Sequence, residues 1–514
     1  MSKKQKTADK AGRKNSKTGK YSQRSRKDKF GKFCLITQAV LSILFMGVLV
    51  LLDMLPMKYL SLAAMLLFFI WCISFTTQAV RKKKGITGKV FSLLMIFSLA
   101  VGSFYIAKTN NMIAAITSGG FKVDKMVVAV LQDDLAETLE DTIGYNYGVQ
   151  FNTGAEHMQA AVLDVQNQLG DLETTEYNSV QEQAKALING EVDALIYNQA
   201  YTNLMSEAVE GYSSKIKIIY KHDIETKLDF GGSAEDDTLT KKPFTVYISG
   251  MDTYGDDRDD GRDSERSDVN IIAVVNPNTN QVLLVTTPRD YYVPIPGISN
   301  GMSDKLTHAG LYGIDVSMDT LGALYETDIN YYVQLNFSSL IKIVDILGGV
   351  DVYSEYAFDT GWESGCEFSV QEGMNHFNGE QALAFCRERH ALADGDNQRG
   401  KNQQAVITAM LKKVLSPSML LKANSVINQV SKDVETNITQ GQLNSLVKNQ
   451  LKSGDQWTIQ SVAAEGTGGE DYCFSAPDMP LYVQYPDEQS LYNIINLTNV
   501  VEEGGMLESG EMLN

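Results

Sequence analysis

The chain has 514 residues, of which 44% are hydrophobic and 9% aromatic, and a formal net charge of −18 from 45 Lys and Arg against 63 Asp and Glu. That length allows two or three domains with a sizeable core, and the composition excludes a disordered, collagen-like or proline-rich chain. The charge is divided. Residues 1–32 hold +11 and residues 33–107 hold +5, so residues 108–514 hold −34, the difference between −18 and +16. A basic front on a strongly acidic body is not the signature of a cytosolic nucleic-acid binder; it fits a membrane anchor followed by a large soluble part.

Three apolar stretches follow the basic tail: Phe33–Leu52, Tyr59–Val80 and Val90–Ala107. Each meets the roughly 17–25 residues a membrane helix needs. No small-residue cleavage site follows the first, and a second span comes at once, which argues against a removed signal peptide. The tail and the Arg81-Lys82-Lys83-Lys84 loop are basic, so both are expected in the cytoplasm, with residues 108–514 outside. The tail itself reads as a topology signal and anionic-lipid contact, with no nucleic-acid partner expected.

Beyond the anchor, residues 121–230 alternate strand-like and helix-like runs. Lys125–Leu131, Tyr147–Phe151, Val192–Tyr197 and Lys215–Tyr220 are β-rich, and Glu156–Leu169 and Val180–Asn189 have helical periodicity. This is a small α/β accessory domain, read as a structural or partner-docking module. Its run LINGEVDALIYN resembles passages of extracellular solute-binding proteins. The polar stretch Gly231–Lys242 then reads as a linker.

From residue 243 a second α/β pattern begins. Strands are predicted at Phe244–Ser249, Val269–Val275, Gln281–Thr287, Tyr331–Phe337 and Val350–Tyr353, the second and third joined through the turn Asn276–Asn280. Helices are predicted at Asp315–Tyr325, Ser338–Leu347, Gly379–Arg389, Asn402–Leu415, Ser418–Val430 and Gln440–Lys452. In the second of these, Leu340, Ile341, Ile343, Val344, Ile346 and Leu347 leave almost no polar face, which predicts cover on most sides or the wall of an apolar cavity. Five cysteines, three of them beyond the anchor (Cys366, Cys386 and Cys473), allow at most one bridge outside the membrane and resemble no zinc site; unpaired thiols are expected.

Arginines recur in short blocks of this acidic region. Arg266 and Asp268 follow Asp252 and the acidic run Asp256–Glu265; Arg289 and Asp290 follow a strand; Arg387, Arg389, Asp396, Arg399 and Gln403 come later, with Lys305 and His308 between. Planar, permanently charged guanidiniums grip phosphate oxygens through paired hydrogen bonds, so their convergence would suit a pyrophosphate. Asp252 and Asp268 would supply oxygen ligands for an octahedral Mg²⁺, offsetting their own repulsion of phosphate. Any one block could instead be a surface ion-pair cluster, such as Arg387-Glu388-Arg389 or Arg266 with Asp268. His308 reads equally as a half-buried histidine and as a substrate contact.

Taken together, the strand ending in GMD, the RSD triplet, NPNTNQVLLVTTPRDYYV, DKLTHAGLYG, LGGVDV and GEQALAFCRERHALADGDNQRGKNQQ resemble the LytR–CpsA–Psr family over roughly residues 243–465, with an extension to about 500. The three-span anchor and accessory domain resemble its capsule-associated, CpsA-type branch. The resemblance implies a three-layer α/β/α domain with a mixed sheet and a hydrophobic pocket for a polyprenyl chain. It implies transfer of a glycopolymer, capsular or teichoic-acid-like, from a polyprenyl-pyrophosphate carrier to peptidoglycan, with Mg²⁺ or Mn²⁺ and a pyrophosphatase side activity. By position, Arg266, Arg289, Arg387, Arg389, Arg399 and Gln403 would bind the pyrophosphate and Asp252 and Asp268 the metal. Arg289, Arg387, Arg389, Asp268 and Asp290 would act in catalysis, and Asp396, Lys305 and His308 would support them. Many members carry Arg where this chain has Asn402. Two rival readings stand beside this one: a membrane-bound regulator of envelope-polysaccharide genes, and a polyprenyl-glycan-binding protein that does not catalyse.

Overall fold

The computed structural model describes residues 30–51, 55–80, 86–116, 121–227, 237–251, 266–392, 396–416, 419 and 434–507. The basic tail up to residue 29, the run 81–85, Asp252, the acidic loop 256–265 and the helix predicted at 418–430 lie outside them. Two compact units are present, Met1–Ile113 with Asn444–Gly454, and Ala114–Leu443 with Asp455–Asn514.

In the first unit the three predicted spans are helices, Phe30–Leu51, Met57–Gln78 and Ile86–Phe104, with mean hydropathies of 2.5, 2.0 and 1.7. All three are long and apolar enough to cross a membrane. The indole Nε1–H of Trp71 donates to the Leu35 carbonyl at 3.1 Å, which satisfies a polar group that lipid could not.

In the second unit a five-stranded sheet is built from β1 (Phe121–Leu131), β2 (Asn146–Val149), β3 (Glu173–Glu176), β4 (Ala194–Asn198) and β5 (Ile216–Lys227), in the order β3-β2-β4-β1-β5. β2 runs parallel to β3 and β4, while β1 is antiparallel to β4 and β5. The period of two along β1 feeds two cores: Val127 and Ala129 point to one face, Met126, Val128 and Val130 to the other. Helix α1 (Ala155–Leu169) buries Met158, Ala161 and Val165 on the second face, and α2 (Val180–Asn189) buries Val180, Ala184 and Leu187 on the first. The two crossovers therefore lie on opposite faces of the sheet.

A six-stranded mixed sheet follows, containing β6 (Phe244–Met251), β7 (Ser267–Asn276), β8 (Gln281–Thr287), β9 (Tyr331–Asn336), β10 (Val434–Thr436) and β11 (Thr458–Ala463), ordered β10-β9-β6-β7-β8-β11. The predicted hairpin is β7–β8, whose turn places Asn280 at φ +52°, a left-handed conformation asparagine tolerates. One face packs Tyr247, Ile272, Val274, Leu283 and Val285 beneath α3 (Leu306–Tyr312), α4 (Ile314–Tyr325) and the C-terminal helix Glu488–Glu502, which contributes Ile494 and Val501. The other face carries α5 (Phe337–Ile346), α6 (Gly379–Arg387) and α7 (Asp396–Val414), whose own core joins Val344, Leu347, Phe385, Val406 and Met410. Gln404 on α7 donates to the Leu284 and Val462 carbonyls, at 3.3 and 2.7 Å, tying this layer to the sheet. The expected three-layer α/β/α architecture is present.

Four expectations change. The stretch before β6 is not simply a polar linker: Asp237–Thr240 forms a short 3₁₀ turn and Leu239 is buried. The accessory sheet and the following region share a core, because Tyr201, Leu204 and Tyr212 pack with Ile295, Ala309, Leu311 and Tyr312. Of the two outcomes expected for α5, cover on most sides is not reached, since only Val344 and Leu347 of its apolar residues and cap are buried, and the cavity wall is the one present, with Leu340 in the lining. Finally α6 ends at Arg387, two residues early, because Glu388 leaves the helix to accept from the amides of Arg389, His390 and Ala391.

Candidate functional site

The C-terminal ends of β6, β8 and β9 open onto two cavities that adjoin. The first, about 630 Å³, is lined by the charged or polar Asp268, Arg289, Arg387, Arg389, Arg399 and Gln403 together with the apolar Ile248, Leu335, Phe337, Leu340, Leu383 and Ile407. The second, about 530 Å³, has a mixed lining that includes Glu355, Gln398, Lys401 and Glu465 as well as Val462 and Ala463. Asp268, Arg289, Arg399 and Gln403 line both.

Local structure explains these positions. Asn336 ends β9 and caps α5, its Oδ1 accepting from the Ser339 amide at 2.8 Å, so that Phe337 and Leu340 on the first turn enter the cavity. Asn378 caps α6 in the same way, through the Gln381 amide at 2.9 Å, and the last turn of that helix delivers Cys386 and Arg387. The two helices meet at Gly379, where a Cβ would stand 2.4 Å from the Ile341 carbonyl oxygen. The Arg387 guanidinium lies 4.7 Å from the centre of the Phe337 ring, at the seam between charged and apolar lining.

Arg289 is held from both sides. Its Nη1 donates to Asp268 Oδ1 at 2.9 Å and its Nε lies 3.5 Å from Asp290 Oδ2. Asp290 is buried and also bound by Lys305 Nζ at 2.5 Å. Asp290 lines the second cavity, whereas Lys305 lines neither and braces Asp290 from outside them. Arg266 stands at the start of β7, outside the lining of both cavities. Asp396 opens α7.

Glu388 has a role that the ion-pair reading missed. It is buried, Oε2 accepting from the Gly361 amide at 2.7 Å and Oε1 from three successive amides at 2.8–3.0 Å. Burial would raise its pKa, but these backbone donors outweigh it and hold the carboxyl below its usual range. The carboxylate thereby joins the Arg389 loop to the loop Gly361–Ser364, which lines the same cavity and exposes Trp362. A lone Trp between glycines was the sequence signal for this rim.

His308 is neither half-buried nor at the cavity. It is fully enclosed, its Nδ1 2.7 Å from Asp304 Oδ1 and 2.8 Å from the Ser475 hydroxyl. Burial alone would raise the pKa of Asp304; His308, the Lys305 amide and the Ser475 hydroxyl outweigh it and lower the pKa. All five cysteines are free, and burial pushes the thiols of Cys386 and Cys473 up to about 12. Asn402 is buried, donating to the Phe385 carbonyl at 3.2 Å, so it joins α7 to α6.

For a divalent cation the described residues supply part of a site. Asp268 lines both cavities and commits only Oδ1 to Arg289, leaving Oδ2 without a partner among the described residues. That open carboxylate oxygen suits Mg²⁺, although no cluster of three metal-ligating side chains occurs among the described residues.

Residues 205–491 match the family model named LytR_cpsA_psr. A protein of Enterococcus faecalis named polyisoprenyl-teichoic acid–peptidoglycan teichoic acid transferase TagU is 36% identical over 201 residues, 39% of this chain and 63% of that protein. The chain therefore spans just under two thirds of that relative. A protein of the same name from Bacillus cereus is 34% identical over 240 residues, 46% of this chain and 75% of its own. Among solved structures, B. subtilis TagV superposes with a TM-score of 0.42 at 25% identity, covering 51% of this chain and 98% of that one.

Proposed function

Given that the chain belongs to the LytR–CpsA–Psr family, we propose that it is a membrane-anchored transferase that moves a glycopolymer from a polyprenyl-pyrophosphate carrier onto peptidoglycan. The observation that carries this reading is the pair of adjoining cavities, the first lined by arginines together with apolar side chains, that share Asp268, Arg289, Arg399 and Gln403. A polyprenyl chain would enter along Phe337, Leu340 and Leu383. The pyrophosphate would lie at the shared residues, and the glycan and its acceptor would occupy the second cavity. Basic residues around the three spans support a cytoplasmic N-terminus, which leaves residues 108–514 on the same side as peptidoglycan.

In this reading a peptidoglycan hydroxyl attacks the phosphorus nearest the polymer sugar. The new P–O bond makes a phosphodiester, the pyrophosphate P–O bond breaks, and polyprenyl phosphate leaves. Charge grows on the departing oxygens, and fixed guanidiniums stabilise it without reorganisation. Arg289 is oriented by Asp268 and Asp290, and one of these two carboxylates, both of which line the second cavity, would take the proton of the attacking hydroxyl. Arg387, Arg389 and Arg399 complete the positive wall. Mg²⁺ would be held by Asp268, with Asp252 proposed as its second carboxylate, and would supply Lewis-acid neutralisation of the phosphates.

The test uses full-length protein in detergent micelles with a polyprenyl-pyrophosphate-linked saccharide and a soluble peptidoglycan fragment, with and without Mg²⁺. Mass spectrometry should find a phosphodiester-linked product that depends on the metal. Tight lipid binding with neither product nor released polyprenyl phosphate would replace the transferase with a carrier.

A further inference from the structure

A third cavity, about 240 Å³, lies away from the arginine site at the C-terminal ends of β2 and β4. It is lined by Asp124, Gln150, Gly154, Glu156, His157, Asn198 and Tyr201, with Ile298 and Tyr312 from the following region. The strand order explains why it is there. β2 leads through α1 to β3 on one side, and β3 leads through α2 on the opposite face to β4 on the other side. The sheet therefore changes direction between β2 and β4, and loops leaving the ends of such neighbouring strands part to form a crevice. In open α/β sheets ligands bind in that crevice.

The lining has two unlike poles. At the first, α1 begins at Gly154, which has φ +65° and no side chain capping the helix. Ala155, Glu156 and His157, the first turn of α1, line the cavity, and first-turn amides have no partner within their own helix. A separate observation points to the same place: Tyr201 is 95% buried, and its hydroxyl sits 3.7 Å from where a Gly154 Cβ would be. That hydroxyl has no hydrogen-bond partner among the described residues. Tyr201 lines the cavity, so the hydroxyl is open to whatever occupies it and costs the empty protein nothing.

At the second pole Asp124 is buried, with Asn198 Nδ2 donating to Oδ1 at 2.8 Å and His157 Nδ1 3.1 Å from Oδ2. Glu156 lines the same cavity from an exposed position on the first turn of α1. A simple anion would meet these two acids, and a simple cation would leave the helix terminus and Tyr201 unused. A small molecule carrying both charges answers both poles.

We propose that the accessory domain binds a small zwitterion of the α-amino acid type. Its carboxylate lies on the α1 N-terminus and the Tyr201 hydroxyl, and its ammonium group lies against Asp124 and Glu156. This site is separate from the proposed transfer reaction and stands or falls without it.

The experiment is a thermal-shift and calorimetric screen of the full-length protein in detergent micelles. The probes are L- and D-amino acids, with each hit's amide and its deaminated acid as one-charge controls. The expected result is saturable binding of one or more amino acids, with both controls at least tenfold weaker. Tyr201→Phe, which keeps the ring and its packing, should weaken binding about tenfold while leaving the unliganded melting temperature unchanged, as loss of a hydrogen bond to a charged group would. Asp124→Asn should weaken it further, but this variant also touches the buried His157 pair, so Tyr201→Phe decides. If no amino acid binds at 10 mM (roughly the weak end of single-site affinities), if the one-charge analogues bind as well, or if Tyr201→Phe binds normally, the proposal is overturned.

Discussion

At the end of the six-stranded sheet, Arg289, Arg387, Arg389 and Arg399 face an apolar wall, whereas at the end of the five-stranded sheet Asp124, Glu156 and His157 surround a much smaller space. Both cavities arise where strands end and loops diverge, so sheet topology supplied the location in each case. What differs is the lining. The arginine cavity gathers four guanidiniums, Arg289 among them already paired with Asp268 and Asp290, as a polyanion would require, and Phe337, Leu340 and Leu383 in its lining would let a hydrophobic tail leave water. The accessory cavity has neither an apolar wall of that extent nor a cluster of cations. One chain thus carries two separate cavities at sheet ends, one for the proposed amphipathic anion and one for the proposed small zwitterion.

The largest effect expected in either region is from Arg289→Ala. Removing one preorganised donor from a developing oxyanion costs about 10²–10³ in turnover, so transfer should fall by at least that factor, while the melting temperature changes little. Near-normal transfer by this variant would remove Arg289 from the mechanism. Next is Gly379→Ala, which puts a methyl against the Ile341 backbone and forces α5 and α6 apart. Overpacking of this kind costs about 1–3 kcal/mol, measurable by urea unfolding, and the accessory site should keep its ligand affinity. Leu340→Ala should then weaken binding of polyprenyl phosphate about tenfold, as loss of about two buried methylenes predicts. A short-chain pyrophosphate, which does not reach the apolar wall, should bind the variant and the parent equally; a loss of both would sink the division of the cavity into a charged and an apolar side.

The smallest effect concerns Glu388. Its folded pKa lies below its unfolded value, so its contribution to stability is complete above the ordinary carboxylate range and is lost as pH falls through the folded value. Glu388→Gln should cost about 1 kcal/mol at pH 7 and flatten this acid limb of the stability curve. Identical acid limbs in the two proteins would show that the amide donors do not set the Glu388 pKa.

Much of the molecule was legible from residue pattern. Apolar runs of about twenty residues between basic clusters gave the three spans, because a bilayer demands that length. Alternation in Lys125–Leu131 and the NPNTN turn gave β1 and the β7–β8 hairpin, because side chains on a pleated strand point to opposite faces every second residue. The co-occurring arginine blocks marked four residues that line one cavity, Arg289, Arg387, Arg389 and Arg399, although Arg266 does not join them. The motif also suggested Lys305 and His308, and the fold uses the first to brace Asp290 and the second to fill the core with Asp304 and Ser475.

The sequence by itself determined the elements and the chemical types available, because periodicity, capping and charge are local properties that each segment expresses alone. Tertiary structure decided which charges meet. Arg289 reaches Asp268 across 21 positions, Glu388 binds the Gly361 amide across 27, and Ser475 closes on Asp304 across 171. Such distances in sequence leave no periodic trace. A carboxylate chooses between a neighbouring arginine and a ring of backbone amides only when the chain has folded and water has left, for then the number of donors around it fixes where its charge is most stable. The same holds for the crevice between β2 and β4, which exists because two crossovers pass on opposite faces of one sheet.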